Sequence, residues 1–345
     1  MHSPFHRWRR EVGVRIQGSR PLDQLKVQAP CVVRVPDAGY RLFYTAIGPG
    51  KPFTNCQGYI LSAYSRDGLQ FEPEPGIRIA PDPRIPHMSL RVLAPSVTLT
   101  DDDHWRMYFE ARGPADRPTV ICSAVSNDLL FWTLEEGVRV QGFDRVGGPR
   151  YVSLPDGRSR LYCFASEDDH SGGASVRRHG VVSATTSDGL SFSFDDGYRL
   201  SGGLTDSESA GITAAEVLPP SSIDEDWIMF YSAWQDVPAG TVAPLHPSRD
   251  PNATGNGTSA DFAAASIASD MSGYRSRIFT ARSNDGLIWE REGCVVEGGG
   301  YDGDELDAVH AEDMSLVEVE PGRYRMFYAA CDRSGNWRIA SAVNE

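Results

Sequence analysis

No apolar run in the 345 residues is long enough to cross a bilayer as a helix. Positive charge is also in short supply. Lys and Arg total 33 against 47 Asp and Glu, and the net charge of −14 excludes a general nucleic-acid binder, which needs a basic face to displace counterions. The six cysteines (Cys31, Cys56, Cys122, Cys163, Cys294 and Cys331) stand far apart and form no C-x-x-C pair. They read as reduced thiols, neither a disulfide framework nor a thiolate metal site. A phosphate-binding glycine loop and a nucleophilic-serine elbow are both missing. No spacing is a metal signature, so no cofactor is expected; an ion would have to use His310 with Glu312, Asp313 or Glu216. The opening residues, Met1-His-Ser-Pro-Phe-His-Arg-Trp-Arg-Arg, lack an apolar stretch after their basic residues. No secretory leader is therefore expected, and a cytoplasmic location is. Without a leader, the glycosylation-like Asn252-Ala-Thr and Asn256-Gly-Thr carry little weight.

What is present is repetition. One segment occurs five times: Tyr40-Arg-Leu-Phe-Tyr-Thr-Ala, Trp105-Arg-Met-Tyr-Phe-Glu-Ala, Ser159-Arg-Leu-Tyr-Cys-Phe-Ala, Trp227-Ile-Met-Phe-Tyr-Ser-Ala and Tyr324-Arg-Met-Phe-Tyr-Ala-Ala. Each has the length and the aromatic, large-apolar character of a buried strand. A small residue, Ala46, Ala111, Ala165, Ala233 or Ala330, closes every copy. Four of the copies are followed by a Ser- or Thr-x-Asp turn such as Ser65-Arg-Asp-Gly, where glycine accepts the positive φ of a tight turn. Four residues past each Asp comes an aromatic (Phe71, Trp132, Phe192 or Trp289), then a glycine and a short apolar strand. A further strand precedes each aromatic segment, making four per repeat. The fifth copy ends early at Glu345, while Trp8-Arg-Arg-Glu-Val-Gly13-Val-Arg-Ile supplies the missing piece at the other end. The expectation is an all-β, five-bladed propeller over residues 1–345 as one domain, closed by its N-terminal strand.

In such a ring the inner strands begin at one mouth of the central channel, so polar residues at their starts are site candidates. Glu216, flanked by apolar or small residues, has the setting of a carboxyl with a raised pKa and is a general-acid candidate. Asp313 is its expected partner, because Arg150, Glu216 and Asp313 align in blades three, four and five, opposite Cys31 and Ser96. Arg91, Arg150, His310, Glu312 and Trp234 are expected to bind substrate, the arginines through an anionic group and Trp234 by stacking. Glu110 and Arg112 end a second strand near the same mouth. The acidic stretch from Asp302 to Asp307 reads as a solvated loop, and Cys31 as an inert buried thiol. The insertion of about forty residues from Gln235 to Arg275 in blade four is either a surface excursion or a lid over the mouth.

The order Ala94-Pro-Ser-Val, then Tyr40-Arg-Leu-Phe-Tyr-Thr-Ala, then Ser-x-Asp-Gly-Leu-x-Trp resembles the five-bladed propeller glycoside hydrolase superfamily. That group includes the family 43 arabinanases and xylosidases, the invertases and levansucrases, and the mannoside phosphorylases. The resemblance implies the propeller and a carbohydrate-like small substrate, with no nucleic-acid or membrane partner. It carries activity less well. The first-blade Asp of family 43 is matched by Ala29, its auxiliary Asp by Gly148, and its acid Glu falls near Ala214. Glu312-Asp313 is similar to the Glu-Asp-Pro-Arg motif of the mannoside phosphorylases, with Met314 for Pro and in a different blade. Three functions therefore stay open: a glycosidase or glycoside phosphorylase; a propeller repurposed for cyclisation, isomerisation or elimination on a small metabolite; and a non-catalytic sugar-binding module.

Overall fold

The repeated aromatic segments form the second strands of five antiparallel four-stranded meanders. A computed structural model describes residues 5–35, 38–100, 103–114, 116–169, 176–222, 225–236 and 274–345. The inner strands are Lys26–Val35, Arg91–Leu99, Arg145–Ser153, Gly211–Leu218 and His310–Glu320. Each pairs with the aromatic strand that follows it, and that strand pairs with a third. The outer strands of the first four blades are Glu72–Pro73, Thr133–Leu134, Ser193–Phe194 and Glu290–Val296. In blade five the outer strand is Trp8–Arg10, which pairs antiparallel with Trp337–Asn344 in the register Trp8 to Asn344. The ring closes on its N-terminal strand, as the sequence repeat implies.

One aromatic contact recurs at all five blade interfaces and explains the spacing of the repeat. The middle aromatic of each second strand meets edge-on the aromatic of the next blade's outer segment. The pairs are Phe43–Trp132, Tyr108–Phe192, Tyr162–Trp289, Phe230–Trp8 and Phe327–Phe71, with ring centroids 5.5–6.2 Å apart. Edge-to-face geometry at this distance adds about 0.5–1.5 kcal/mol per pair beyond the burial of the rings. Trp8 stands where the other blades use their own outer segment. The five repeat alanines are fully buried, so a larger side chain there would force the strands apart.

A second device works at the turns. Asp67 Oδ1 accepts the amides of Leu69 and Gln70, and Ser65 Oγ accepts the amide of Gly68. The same arrangement recurs at Asp128, Asp188 and Asp285. Gly68, Gly189 and Gly286 sit at φ near +70°, and in blade two Leu129 takes that strained conformation at φ 65° while its side chain is buried. An arginine two residues after the outer-segment glycine then docks on the turn of the next blade. Arg15, Arg78, Arg139 and Arg199 donate to the carbonyls of Leu69, Leu130, Leu190 and Leu287 at 2.8–3.3 Å.

The acidic loop departs from expectation. Asp302, Asp304 and Glu305 are exposed, but Asp307 is buried, paired with Arg10 at 2.8 Å and accepting the Tyr328 hydroxyl at 2.9 Å. Its partner is the N-terminal strand, which local sequence around Asp307 does not announce. The lid expected between Gln235 and Arg275 lies, from residue 237 to 273, outside the described residues. None of the described helices is long and apolar enough to cross a membrane.

Candidate functional site

Every inner strand is broken by a bulge: after Gln28, Leu93, Gly147 and Glu312 at one point of the repeat in four blades, and one position earlier, after Ile212, in blade four. At the bulge Ala29, Ala94, Gly148 and Asp313 have φ of 48°, 51°, 56° and 51°. Only glycine takes this conformation freely, and for the others it costs roughly 1–2 kcal/mol. Side chains of the preceding blade offset that cost by capturing the bulge amides. Thr45 Oγ1 accepts from Ala94 at 2.8 Å, Ser232 Oγ from Asp313 at 2.9 Å, and Glu110 from Gly148 at 3.3 Å. In blade one the Ala29 amide is taken by the Asp313 carboxylate itself.

The bulge decides which side chains share a surface. Neighbours on a regular strand point to opposite faces, yet here Glu312 and Asp313 both line one cavity of about 110 Å³ at the channel. Its wall also includes Gln28, Ala29, Arg91, Glu110, Arg112, Thr213 and Trp234, so all but the third blade give it a polar or charged residue; blade three contributes Gly148 and Phe164. Glu110 is committed: one carboxylate oxygen pairs with Arg112 and the other accepts the Gly148 amide.

The two cavity carboxyls differ in their surroundings. Burial raises Glu312 well above the usual carboxylate range, and the adjacent Asp313 pushes it further; Lys26, Ser276 and Trp234 act in the opposite sense. Burial also raises Asp313, but Lys26, Arg150 and the Ala29 amide favour its ionised form. Burial lowers Lys26 in turn, against the attraction of Glu312. The Lys26 ammonium lies 4.1 Å from the centre of the Trp337 ring, a contact between cation and aromatic face.

Of the residues singled out in the sequence, Arg91, Glu312, Asp313 and Trp234 meet on the cavity wall. His310 stands behind it. Its ring stacks on Trp337 at 5.2 Å and its Nδ1 is 2.9 Å from Ser276 Oγ, which in turn reaches Glu312. Burial and the nearby Lys26 push His310 down to about 3, so it is neutral at ordinary pH.

The expected alignment of Arg150, Glu216 and Asp313 requires correction. Strand pairing places Ala311 opposite Ala330 and Ile212 opposite Ala233, so Asp313 stands two residues before the slot of Glu216. Ser315, opposite Phe327, fills that slot in blade five, alongside Cys31, Ser96, Arg150 and Glu216. Both segments carry Ala followed by acids, which made the shifted match look natural. Two residues along a strand are roughly 6–7 Å. Glu216 therefore belongs to a separate layer.

That layer is a clasp. Ser315 Oγ accepts the Val32 amide, Cys31 Sγ the Val97 amide and Ser96 Oγ the Tyr151 amide, at 3.1–3.3 Å. Arg150 then pairs with Glu216 at 2.7 Å, and Glu216 accepts the Leu316 amide. The Arg150 guanidinium also donates to the carbonyls of Pro30, Pro95, Pro149 and Met314. One side chain thus joins all five blades. Cys31, with its thiol pushed up to about 11 by burial, has a place in this ring and none in the cavity.

Sequence reading passed over Lys26, Ser276 and Thr213. A signal for Lys26 existed: the residue before the first apolar position of the inner strand is Lys26, Arg91, Arg145, Gly211 or His310, basic in four blades of five. All six cysteines are free thiols.

No protein-family model matches the chain, and no curated protein matches it. Solved structures do. It is similar to a glycoside hydrolase with a TM-score of 0.67 and 14% identity, over 97% of this chain and 92% of the other. A thermostable family-43 glycoside hydrolase gives 0.59 and 13%, over 93% and 91%. A structure from the GH130 family of mannoside phosphorylases, described as containing hydrolases that target β-1,2 mannosidic linkages in Candida mannan, gives 0.61 and 14%, over 98% and 94%. Together with the five-fold strand pairing and the closure by Trp8–Arg10, these likenesses show that the chain has the fold of the five-bladed propeller glycoside hydrolases.

Proposed function

We propose that this chain cleaves a glycosidic bond of a small carbohydrate, with Glu312 donating the proton and Asp313 acting as the ionised carboxylate. The observation that carries this reading is the bulge that turns two consecutive acids onto one cavity wall in unlike surroundings. Glu312, raised by burial and by its neighbour, keeps a proton to give to a leaving oxygen. Burial raises Asp313 as well, but the Ala29 amide and the charges of Lys26 and Arg150 act towards its ionised form. Two carboxyls whose surroundings separate their proton affinities are what acid–base cleavage of a glycoside uses. The wall position of the family 43 base is Ala29, and Glu110 has both oxygens engaged, which leaves Asp313 to activate a water or a phosphate. Trp234 offers a ring to a sugar face. His310 is a positioning residue for Glu312 through Ser276, and Arg150 with Glu216 holds the blades that carry the site.

The test is a screen of aryl glycosides with and without phosphate, followed by Glu312→Gln and Asp313→Asn on whichever substrate turns over. Each substitution should lower kcat by about a hundredfold or more with the fold retained. Turnover near normal in both variants would remove the two acids from the chemistry.

A further inference from the structure

Arg91 is 2% exposed, lines the cavity, and has two guanidinium nitrogens, Nε and Nη1, that are buried without a hydrogen-bond partner. An unpaired buried cation is costly to the fold, and such groups are ordinarily found with a partner. Glu110 and Asp313 both attract Arg91, but neither hydrogen-bonds these two nitrogens. Glu110 is engaged by Arg112 and by the Gly148 amide. The side chain is also held in place. Gly58 forms a bridge with Arg91, and a methyl group added at Gly58 would come within 3.0 Å of Arg91 Cγ. Across the cavity, Thr213 presents a buried hydroxyl, also without a partner.

We infer that Arg91, with Thr213, binds an oxyanion, a carboxylate or phosphate group that belongs to the substrate or enters the reaction with it. This rests on the cavity being the substrate site but not on which acid does the chemistry. A neutral sugar hydroxyl would hydrogen-bond the guanidinium and leave its charge uncompensated, whereas an oxyanion supplies both acceptors and charge in the planar fork that arginine matches. Burial first, and then the neighbouring Arg112, pull Arg91 down to about 9, against the attraction of Glu110 and Asp313. The space suits one such group. A water needs roughly 10–15 Å³ on this measure, so about 110 Å³ has room for a carboxylate or phosphate group.

Calorimetric titration of the full chain with inorganic phosphate, with D-galacturonate and with neutral D-galactose tests the inference without requiring turnover. Binding of phosphate alone marks the anion as a co-substrate, and binding of galacturonate in preference to galactose marks it as part of the sugar; either supports the inference. Arg91→Met should weaken the anion about tenfold or more and leave galactose unchanged. Because it removes an unpaired buried charge, it should also melt at or above the unliganded parent. If Arg91→Met fails to fold, Arg91 is a structural partner and the inference falls. It falls equally if neither anion binds, or if Arg91→Met binds the anion as tightly as the parent. Loss of turnover in the Glu312 and Asp313 variants with anion binding intact would separate this inference from the catalytic reading.

Discussion

At the scale of single residues, the central distinction is between two kinds of buried acid. Glu216 and Asp313 are both carboxyls on inner strands, and both are raised by burial. Only their partners tell them apart. Glu216 receives a guanidinium and a backbone amide inside a layer that links neighbouring blades, whereas Asp313 faces the cavity. Glu216→Gln should therefore destabilise the protein by roughly 3–5 kcal/mol, because it leaves Arg150 buried beside a neutral partner. Its kcat per folded molecule should stay within about twofold of the parent, a level at which no proton-transfer role survives. Urea midpoints and active-site titration together measure this. A variant of normal stability with a hundredfold lower kcat would return Glu216 to the chemistry. Nothing in the residues around Glu216 announces Arg150, which is distant in sequence and reaches it from the inner strand of the neighbouring blade.

At the scale of elements, the N-terminal strand does what four internal strands do elsewhere. Trp8 closes the interface with Phe230, Arg10 reaches Asp307, Glu11 pairs with Arg325 at 2.7 Å, and Arg15 docks on the turn of blade one. Deleting residues 1–18 would expose the edge of Trp337–Asn344 and leave the buried Asp307 without its arginine. The truncated chain should aggregate or unfold at a much lower urea concentration than the parent, as light scattering and tryptophan fluorescence would show. A truncated chain that melts within a few degrees of the parent would mean that blade five stands without its outer strand. This element was legible because the repeat is a pattern of residue types at set spacings, and a missing member at one end matches a spare one at the other. The bulges were not legible. Ala29, Ala94 and Asp313 share a left-handed backbone that none of them favours; it is imposed by hydrogen bonds from the preceding blade.

At the scale of the whole molecule, burial of ionisable groups couples stability to pH. His310 titrates near 6.5 when unfolded and is held down to about 3 in the fold by burial and Lys26. Between those values the unfolded chain binds the extra proton, so its contribution to stability is complete above about pH 6.5 and is lost as pH falls towards 3, at about 1.4 kcal/mol per unit. Urea midpoints between pH 7 and 4 should fall more steeply for the parent than for His310→Asn, by about one proton; parallel profiles would place the acid sensitivity elsewhere. By itself the sequence determined the strand count, the five-fold repeat and its closure, because blade interfaces are built from aromatic, small and turn residues at regular intervals, and such contacts are written into local spacing. Which acids face one another was decided only by the tertiary structure. In a ring, residues distant in the chain converge at the axis, and a single bulge changes the face a side chain occupies, so the register that separates Asp313 from Glu216 exists in the pairing of strands and not in the order of residues.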